Sequence, residues 1–228
     1  MIEINRLTKS LFGGGHRVDI LNGIDLVIPD GQFLAITGPS GSGKTTLLSL
    51  IAGLDTPSSG SILIDKQDIT QLKEDELALM RGRNFGFVFQ NFHLIPTLTA
   101  LENVALAAEL NGSKNDLAKS RDMLTQIGLG DRMSHYPSQM SGGEQQRLSL
   151  ARAFVNEPAI ILADEPTGNL DSKNTERIMD LMRECHRARR TTVVLVTHEQ
   201  RLAARAERVL TLDDGRIIND SLNELSRA

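Results

Sequence analysis

The chain has 228 residues, 40% hydrophobic and 24% charged, which is ordinary for a globular protein with one sizeable core. A net charge of −4, no Trp, one Tyr and 4% aromatic residues exclude a broad basic face or a row of base-stacking platforms, so no nucleic-acid partner is expected. The single cysteine, Cys185, cannot form an internal disulfide, and a reducing cytosol is the expected compartment.

Met1-Ile2-Glu3-Ile4-Asn5 lacks the basic and apolar regions of a signal peptide. The longest apolar runs, such as Val193-Val194-Leu195-Val196, are strand-sized and far short of the about 20 residues of a membrane helix. A soluble chain is expected, with any membrane contact made through a partner. The first 65 residues read as short strands, Ile2–Ile4, Leu26–Ile28, Phe33–Ile36 and Ile62–Ile64, separated by turns such as Pro29-Asp30-Gly31 and Pro57-Ser58-Ser59-Gly60. One helix interrupts them, Thr45 to Ala52, stopped by Gly53.

From Leu72 to Met140 the pattern is mostly helical, with Phe85-Gly86-Phe87-Val88-Phe89 as the exception. Its last helix carries Leu117, Leu124 and Ile127 on one side and ends at Gly128. Beyond it come a buried strand at Ala159–Ala163, a helix from Lys173 to Arg187 and a strand from Thr192 to Thr197. Cys185 shares a helical face with Ile178, Leu181 and Met182 and is assigned to the core. Apolar runs without alternation indicate strands covered on both faces. The fold class expected is therefore α/β, a mostly parallel sheet flanked by helices, with a helical insertion. The tail from Asn219 to Ala228 is read as frayed.

Gly38-Pro39-Ser40-Gly41-Ser42-Gly43-Lys44-Thr45 fits G-x-x-x-x-G-K-[ST] at every position, after a strand and at the start of a helix. Glycines there let the backbone wrap an anion, and the helix start adds a favourable dipole. Lys44 suits charge neutralisation on β and γ phosphates, and the Thr45 hydroxyl suits Mg²⁺. A glycine-rich turn that binds nothing is the bland alternative, and the correct flanking elements argue against it.

Downstream, the apolar run Ile160–Ala163 ends in Asp164-Glu165. Neighbouring strand residues point to opposite faces, so the two carboxylates serve different tasks. Asp164 suits the Mg²⁺ shell and Glu165 a base for an attacking water; a solvated acidic turn is the alternative. Ser141-Gly142-Gly143-Glu144-Gln145-Gln146-Arg147 opens another helix with S-x-x-E capping-box spacing and exposed N–H donors.

With these motifs in order, the chain resembles the nucleotide-binding subunit of ATP-binding-cassette transporters, over nearly the whole length from Ile2 to Ile218. Ser141 to Gln145 carries the most specific match. The resemblance implies a phosphate-loop NTPase core with an N-terminal antiparallel β region, one cassette over 1–228. Residues 1–84 and 156–228 would form its catalytic core, and 85–155 the glutamine loop, helical subdomain and signature helix. It implies ATP and Mg²⁺ as ligands, with Gly38 to Thr46, Thr46 included, around the nucleotide and Thr45, Gln90 and Asp164 toward the metal.

Lys44, Glu165 and His198 would be catalytic, His198 reaching the γ-phosphate, while Asp171 would communicate between two sites. Ser141, Gly142, Gly143, Glu144 and Gln145 would close over the nucleotide of a second subunit. Phe12 is the candidate for stacking on adenine. The other histidines, His16, His93, His135 and His186, match no family position and are read as surface or loop residues. Phe92, Leu94 and Ile95 are expected in a groove that receives a membrane permease. Gly86–Gln90, Ala100–Val104 and Ala163–Asp171 are similar to the lipoprotein-release and macrolide-export branch, which implies export or extrusion. A cassette ATPase with a non-transport partner is the alternative.

Overall fold

Isoleucines at alternate positions start the chain as a strand. In the computed structural model, which describes residues 1–13, 16–110 and 116–223, β1 (Ile2–Gly13) lies between β2 (His16–Ile28) and β4 (Ser59–Ile64), with the short β5 (Gln67–Asp68) at the far edge. Ile2 stands opposite both Ile28 and Ile64, and Ile4 opposite both Leu26 and Ile62, so one face is a ladder of buried aliphatics. Such cross-strand contacts are the unit of sheet stability, and truncating one buried Ile to Ala costs about 2–5 kcal/mol.

Both β1 and β2 run well past the apolar triplets that announce them. Their outer halves are polar, and side chains close the ladder there. Ser10 Oγ donates to Asp19 at 2.6 Å, and the largely buried Lys9 ammonium donates to Asp55 at 2.6 Å and to the Thr56 carbonyl at 2.7 Å.

A second set of strands belongs to the same compact unit, which comprises residues 1–81 and 192–228. Here β3 (Phe33–Thr37) pairs in parallel with β8 (Thr192–Val196) on one side and β9 (Arg208–Asp213) on the other, and β10 (Arg216–Leu222) lies antiparallel along β9. Phe33 to Ile36 and Val193 to Val196 are fully buried, as unalternating strands in a parallel sheet should be. The helices of this unit are α1 (Lys44–Ile51), the exposed α2 (Glu74–Asn84), within which the chain leaves the unit, and the single turn α7 (Gln200–Ala203).

The sequence reading places no strand after Thr197, yet β9 and β10 stand there. The expectation of a frayed tail fails for Asn219 to Leu222, which form the second half of β10. That strand is almost wholly exposed, and its apolar residues, Ile217, Ile218 and Leu222, do not alternate with polar ones. A bidentate pair holds it instead, Arg208 to Asp220 at 2.7 and 2.6 Å. Residues 224–228 of the tail lie outside the described residues.

The second unit spans residues 82–191. Its parallel pair is β6 (Phe85–Phe89) and β7 (Ile160–Asp164), in register from Phe85 opposite Ile160 to Phe89 opposite Asp164. Its helices are α3 (Ala100–Leu110), α4 (Asp116–Gln126), α5 (Gly142–Phe154) and α6 (Ser172–Arg189). Leu124 and Ile127 are buried as expected, whereas Leu117 in the first turn of α4 is 57% exposed.

Cys185 is buried on α6 beside Ile178 and Met182, and burial pushes its thiol pKa up. His186, expected at the surface, is buried. Its Nδ1 lies 2.7 Å from the Thr191 carbonyl, a partner that makes the burial of a polar ring tolerable. Asn103, also buried, binds the segment before its own helix: it accepts from Ile95 N–H and donates to the carbonyls of Ile95, Leu98 and Thr99 at 3.0–3.1 Å. Among the described residues no helix is long and apolar enough to cross a membrane.

The start of α5 is a reciprocal capping box. Ser141 Oγ accepts from Glu144 N–H at 3.3 Å, and Glu144 Oε2 accepts from Ser141 N–H at 2.8 Å. That backbone bond first, and the Arg132 guanidinium at 3.0 Å second, hold the Glu144 carboxyl at about 2, well below its ordinary 4.5. A carboxyl lowered in the folded state contributes stability that is complete above its unfolded value and is lost as pH falls through the folded one. Glu144→Ala is therefore expected to cost about 1 kcal/mol between pH 5 and 7. Urea unfolding at a series of pH values should show that gap closing between pH 4.5 and about 2.

Candidate functional site

The loop between β3 and α1 is shaped by what it excludes. Gly38 has φ 142°, and a Cβ there would stand 2.0 Å from the Leu212 carbonyl oxygen on β9, so no other residue fits. Gly43, left-handed at φ 99°, is the N-cap of α1 and supplies no side-chain cap, nor does the first turn contain an acid. The opening N–H groups of α1 thus keep their capacity to bind an anion. Lys44 is buried and arches over the loop, donating from Nζ to Gly38 O at 2.9 Å and Pro39 O at 2.7 Å. The Ser42 hydroxyl is buried in the same loop without a protein partner. An orphaned hydroxyl, a cradle too tight for side chains, uncapped amides and a fixed ammonium form a donor set for phosphate oxygens. Pro39, Ser40, Gly41 and Thr45 are exposed around this cradle and Thr46 is half-buried.

His198 belongs to the same unit, just past β8. Its neighbour Thr197 is fixed on both sides, donating its N–H to Ile36 O at 3.1 Å and accepting Glu199 N–H on its hydroxyl at 3.1 Å. The imidazole is exposed beyond that anchor. Phe12 lies at the end of the β1–β2 hairpin, 81% exposed and opposite Arg17. Leu11 pairs with Val18 on the other face, also exposed, so the hairpin offers two different apolar platforms.

The remaining candidates lie in the second unit. Asp164 ends β7 and Glu165 follows it, both half-buried. Glu165 is held at φ 44°, a left-handed conformation that costs a non-glycine residue on the order of 1–2 kcal/mol. The turn after it is closed by Gly168 N–H to Glu165 O at 3.1 Å. Gln90 follows β6, and its side chain donates to Asn169 Oδ1 at 3.3 Å while Asn169 Nδ2 donates back to Gln90 O at 3.2 Å. Gln90 and the segment after the acidic pair are thereby joined. Asp171 caps α6, accepting Asn174 N–H at 2.8 Å and Asn174 Nδ2 at 2.9 Å, which lowers its carboxyl pKa.

Ser141 and Gly142 are exposed at the α5 start, and Glu144 and Gln145 are half-buried. Gly143 is buried against α6: a Cβ there would meet Asn174 Oδ1 at 2.4 Å. The amide that serves the Asp171 cap thus also sets the approach of α5. Sequence reasoning missed Asn174, Gln146 and Arg152. Gln146, fully buried, donates to the Pro166 carbonyl beside the acidic pair. A polar residue in the buried register of α5, between Gly143 and Leu150, was the available signal.

Thr45, Gln90 and Asp164 are the candidates for a divalent ion. Among the described residues no three His, Cys, Asp or Glu side chains converge on one point. Thr45 lies in the first unit and Gln90 and Asp164 in the second; hydroxyl, amide and carboxylate oxygens are each donors of the kind Mg²⁺ takes, beside waters and substrate phosphate oxygens.

A family model described as ABC transporter matches residues 21–168. The lipoprotein-releasing system ATP-binding protein LolD of Syntrophotalea carbinolica is 49% identical over 95% of this chain and 96% of its own length. The macrolide export ATP-binding/permease protein MacB of Brucella abortus is 46% identical over 97% of this chain, which spans 34% of that longer protein. Among solved structures, the dimeric post-hydrolysis state of the ATP-binding cassette MJ0796 bound to ADP and Pi superposes with a TM-score of 0.91, at 40% identity and 98% coverage of this chain and 99% of that one. A match of this extent, on a chain whose phosphate loop and α5 cap have the geometry described above, makes the chain a member of the ABC transporter family.

Proposed function

We propose that the chain is the ATP-binding and ATP-hydrolysing subunit of an ABC transporter that powers export or extrusion through a separate membrane permease. The observation that carries this reading is the phosphate loop, with buried Lys44 arched over uncapped α1 amides and the orphaned Ser42 hydroxyl inside it. The whole of Met1–Ala228 acts as one cassette, its core drawn from 1–84 and 156–228 and its partner-facing arm from 85–155. It resides in the cytoplasm and meets the membrane only through the permease, in the groove to which Phe92, Leu94 and Ile95 contribute.

Gly38 to Thr46 wrap the triphosphate of ATP, and Lys44 neutralises charge on its β and γ phosphates. Thr45, Gln90 and Asp164 would hold Mg²⁺, which when bound would supply positive charge toward the phosphate oxygens. Glu165, fixed in its left-handed turn, orients the attacking water and takes its proton, and His198 holds the γ-phosphate. The products are ADP and phosphate. Ser141 to Gln145 close over the nucleotide of a second copy, so two ATP molecules join a head-to-tail homodimer with equivalent contacts at both sites. Asp171, rigid in its cap, carries the state of one site toward the other.

Purified protein should turn over ATP, and Glu165→Gln should lower the rate about 10²–10⁴-fold while retaining nucleotide and forming a dimer in Mg-ATP by light scattering. Lys44→Ala should weaken ATP binding by about 10–100-fold, the loss of one or two charge-assisted bonds. Normal turnover in Glu165→Gln would remove it as the base. Phe12→Ala should raise the KM for ATP about 3–10-fold with kcat unchanged if its ring stacks on adenine. The same shift in Leu11→Ala alone would move the adenine to the opposite face of the hairpin.

A further inference from the structure

The residues after Gln90 adopt a conformation that their types resist. Phe92 and His93 are consecutive left-handed residues, at φ 52° and 49°, and neither is Gly, Asn or Asp. Each carries a roughly tenfold population penalty in that region, so the surroundings must enforce the turn. Three small contacts help, Phe92 N–H to Phe89 O at 3.3 Å, His93 N–H to Asn91 O, and the Phe89 and His93 rings at 4.8 Å between centroids.

The strong contact comes from α5. Arg152 donates from Nη1 to the His93 carbonyl and from Nη2 to the Phe92 carbonyl at 3.0 Å. Both carbonyls of the left-handed pair are thus captured by one planar fork, a task that suits guanidinium geometry. Among the described residues Arg152 has no carboxylate partner, and burial lowers its pKa, so the charge is spent on these backbone dipoles. At the other end of the turn, Gln146 of the same helix reaches toward Phe89 O at 3.5 Å, and Gln90 is tied to Asn169. The segment from Phe89 to His93 is therefore held at its far end by Arg152 and approached at its near end by Gln146, both from α5, with Gln90 between them.

We propose that Arg152 is a positioning residue that holds the Phe92-His93 turn and thereby fixes where Gln90 stands, making the Gln90 loop move as one body with α5. The proposal rests on the reading of Gln90 as a residue that addresses Mg-ATP. It predicts that Gln90 placement is lost when the fork is lost, and regained when the turn no longer needs enforcing.

The test measures ATPase rate against Mg²⁺ concentration for wild type, Arg152→Ala, Arg152→Lys, and Arg152→Ala combined with Phe92→Gly and His93→Gly, with Gln90→Ala as reference. Thermal unfolding and amide hydrogen exchange are followed on each. Arg152→Ala should raise the half-saturating Mg²⁺ about 3–10-fold, as one or two bonds to a charged donor are lost. Arg152→Lys should not restore it, because an ammonium lacks the fork. The glycine pair should bring it back to within about twofold of wild type, since Gly enters the left-handed region freely.

A shift in Gln90→Ala with none in Arg152→Ala would overturn the proposal, as would failure of the glycine pair to rescue a variant that unfolds at the wild-type temperature. If Arg152→Ala does not fold, Arg152→Lys decides in its place: an unchanged Mg²⁺ dependence there overturns the fork. If Gln90→Ala itself leaves Mg²⁺ dependence untouched, the reading of Gln90 falls. The clamp is then decided by exchange at residues 91–95, which must rise about tenfold or more in Arg152→Ala and which, unchanged, would overturn it.

Discussion

Every helix begins with N–H groups that the helix itself cannot satisfy, and the chain resolves this in opposite ways at two places. The start of α1 is left uncapped behind a left-handed glycine, so its donors keep the capacity to bind an anion. At α5 they are closed by Ser141 and Glu144, with the carboxyl locked in its ionised form. The backbone before that uncapped start is held by the sheet. β3 is buried on both sides between β8 and β9, the Leu212 carbonyl presses on Gly38, and the Lys44 ammonium ties the loop across.

In the second unit α5 is the common support. Its first turn abuts Asn174 through Gly143, its middle donates through Gln146 to the carbonyl after the acidic pair, and its last turns hold the segment after Gln90 through Arg152. Three loops that carry candidate groups thus share one rigid body. The strained Glu165 and the strained Phe92-His93 turn are both within this network, where neighbouring bonds offset unfavourable backbone conformations.

Much of this was legible in the sequence because the signals are local. The phosphate loop, the Ser141–Glu144 spacing and the unalternating strands each follow from residue types a few positions apart, and the fold has them as read. The outer halves of β1 and β2, and all of β10, were not legible. Side chains distant in sequence anchor β1 and β10, Lys9 with Asp55 and Arg208 with Asp220 across 46 and 12 positions. Arg152 and Asn103 escaped notice for a related reason. Each serves backbone carbonyls, which leave no mark in the sequence, and His186 was placed at the surface because its carbonyl partner is equally invisible.

Cys185 has one further consequence. The only sulfhydryl of the chain is sealed in α6 and held protonated by burial, so it is a poor nucleophile. The native surface is therefore silent toward maleimides and disulfide reagents. A cysteine introduced at an exposed position, such as Ser141, can be labelled or cross-linked to a second copy without first removing a background thiol.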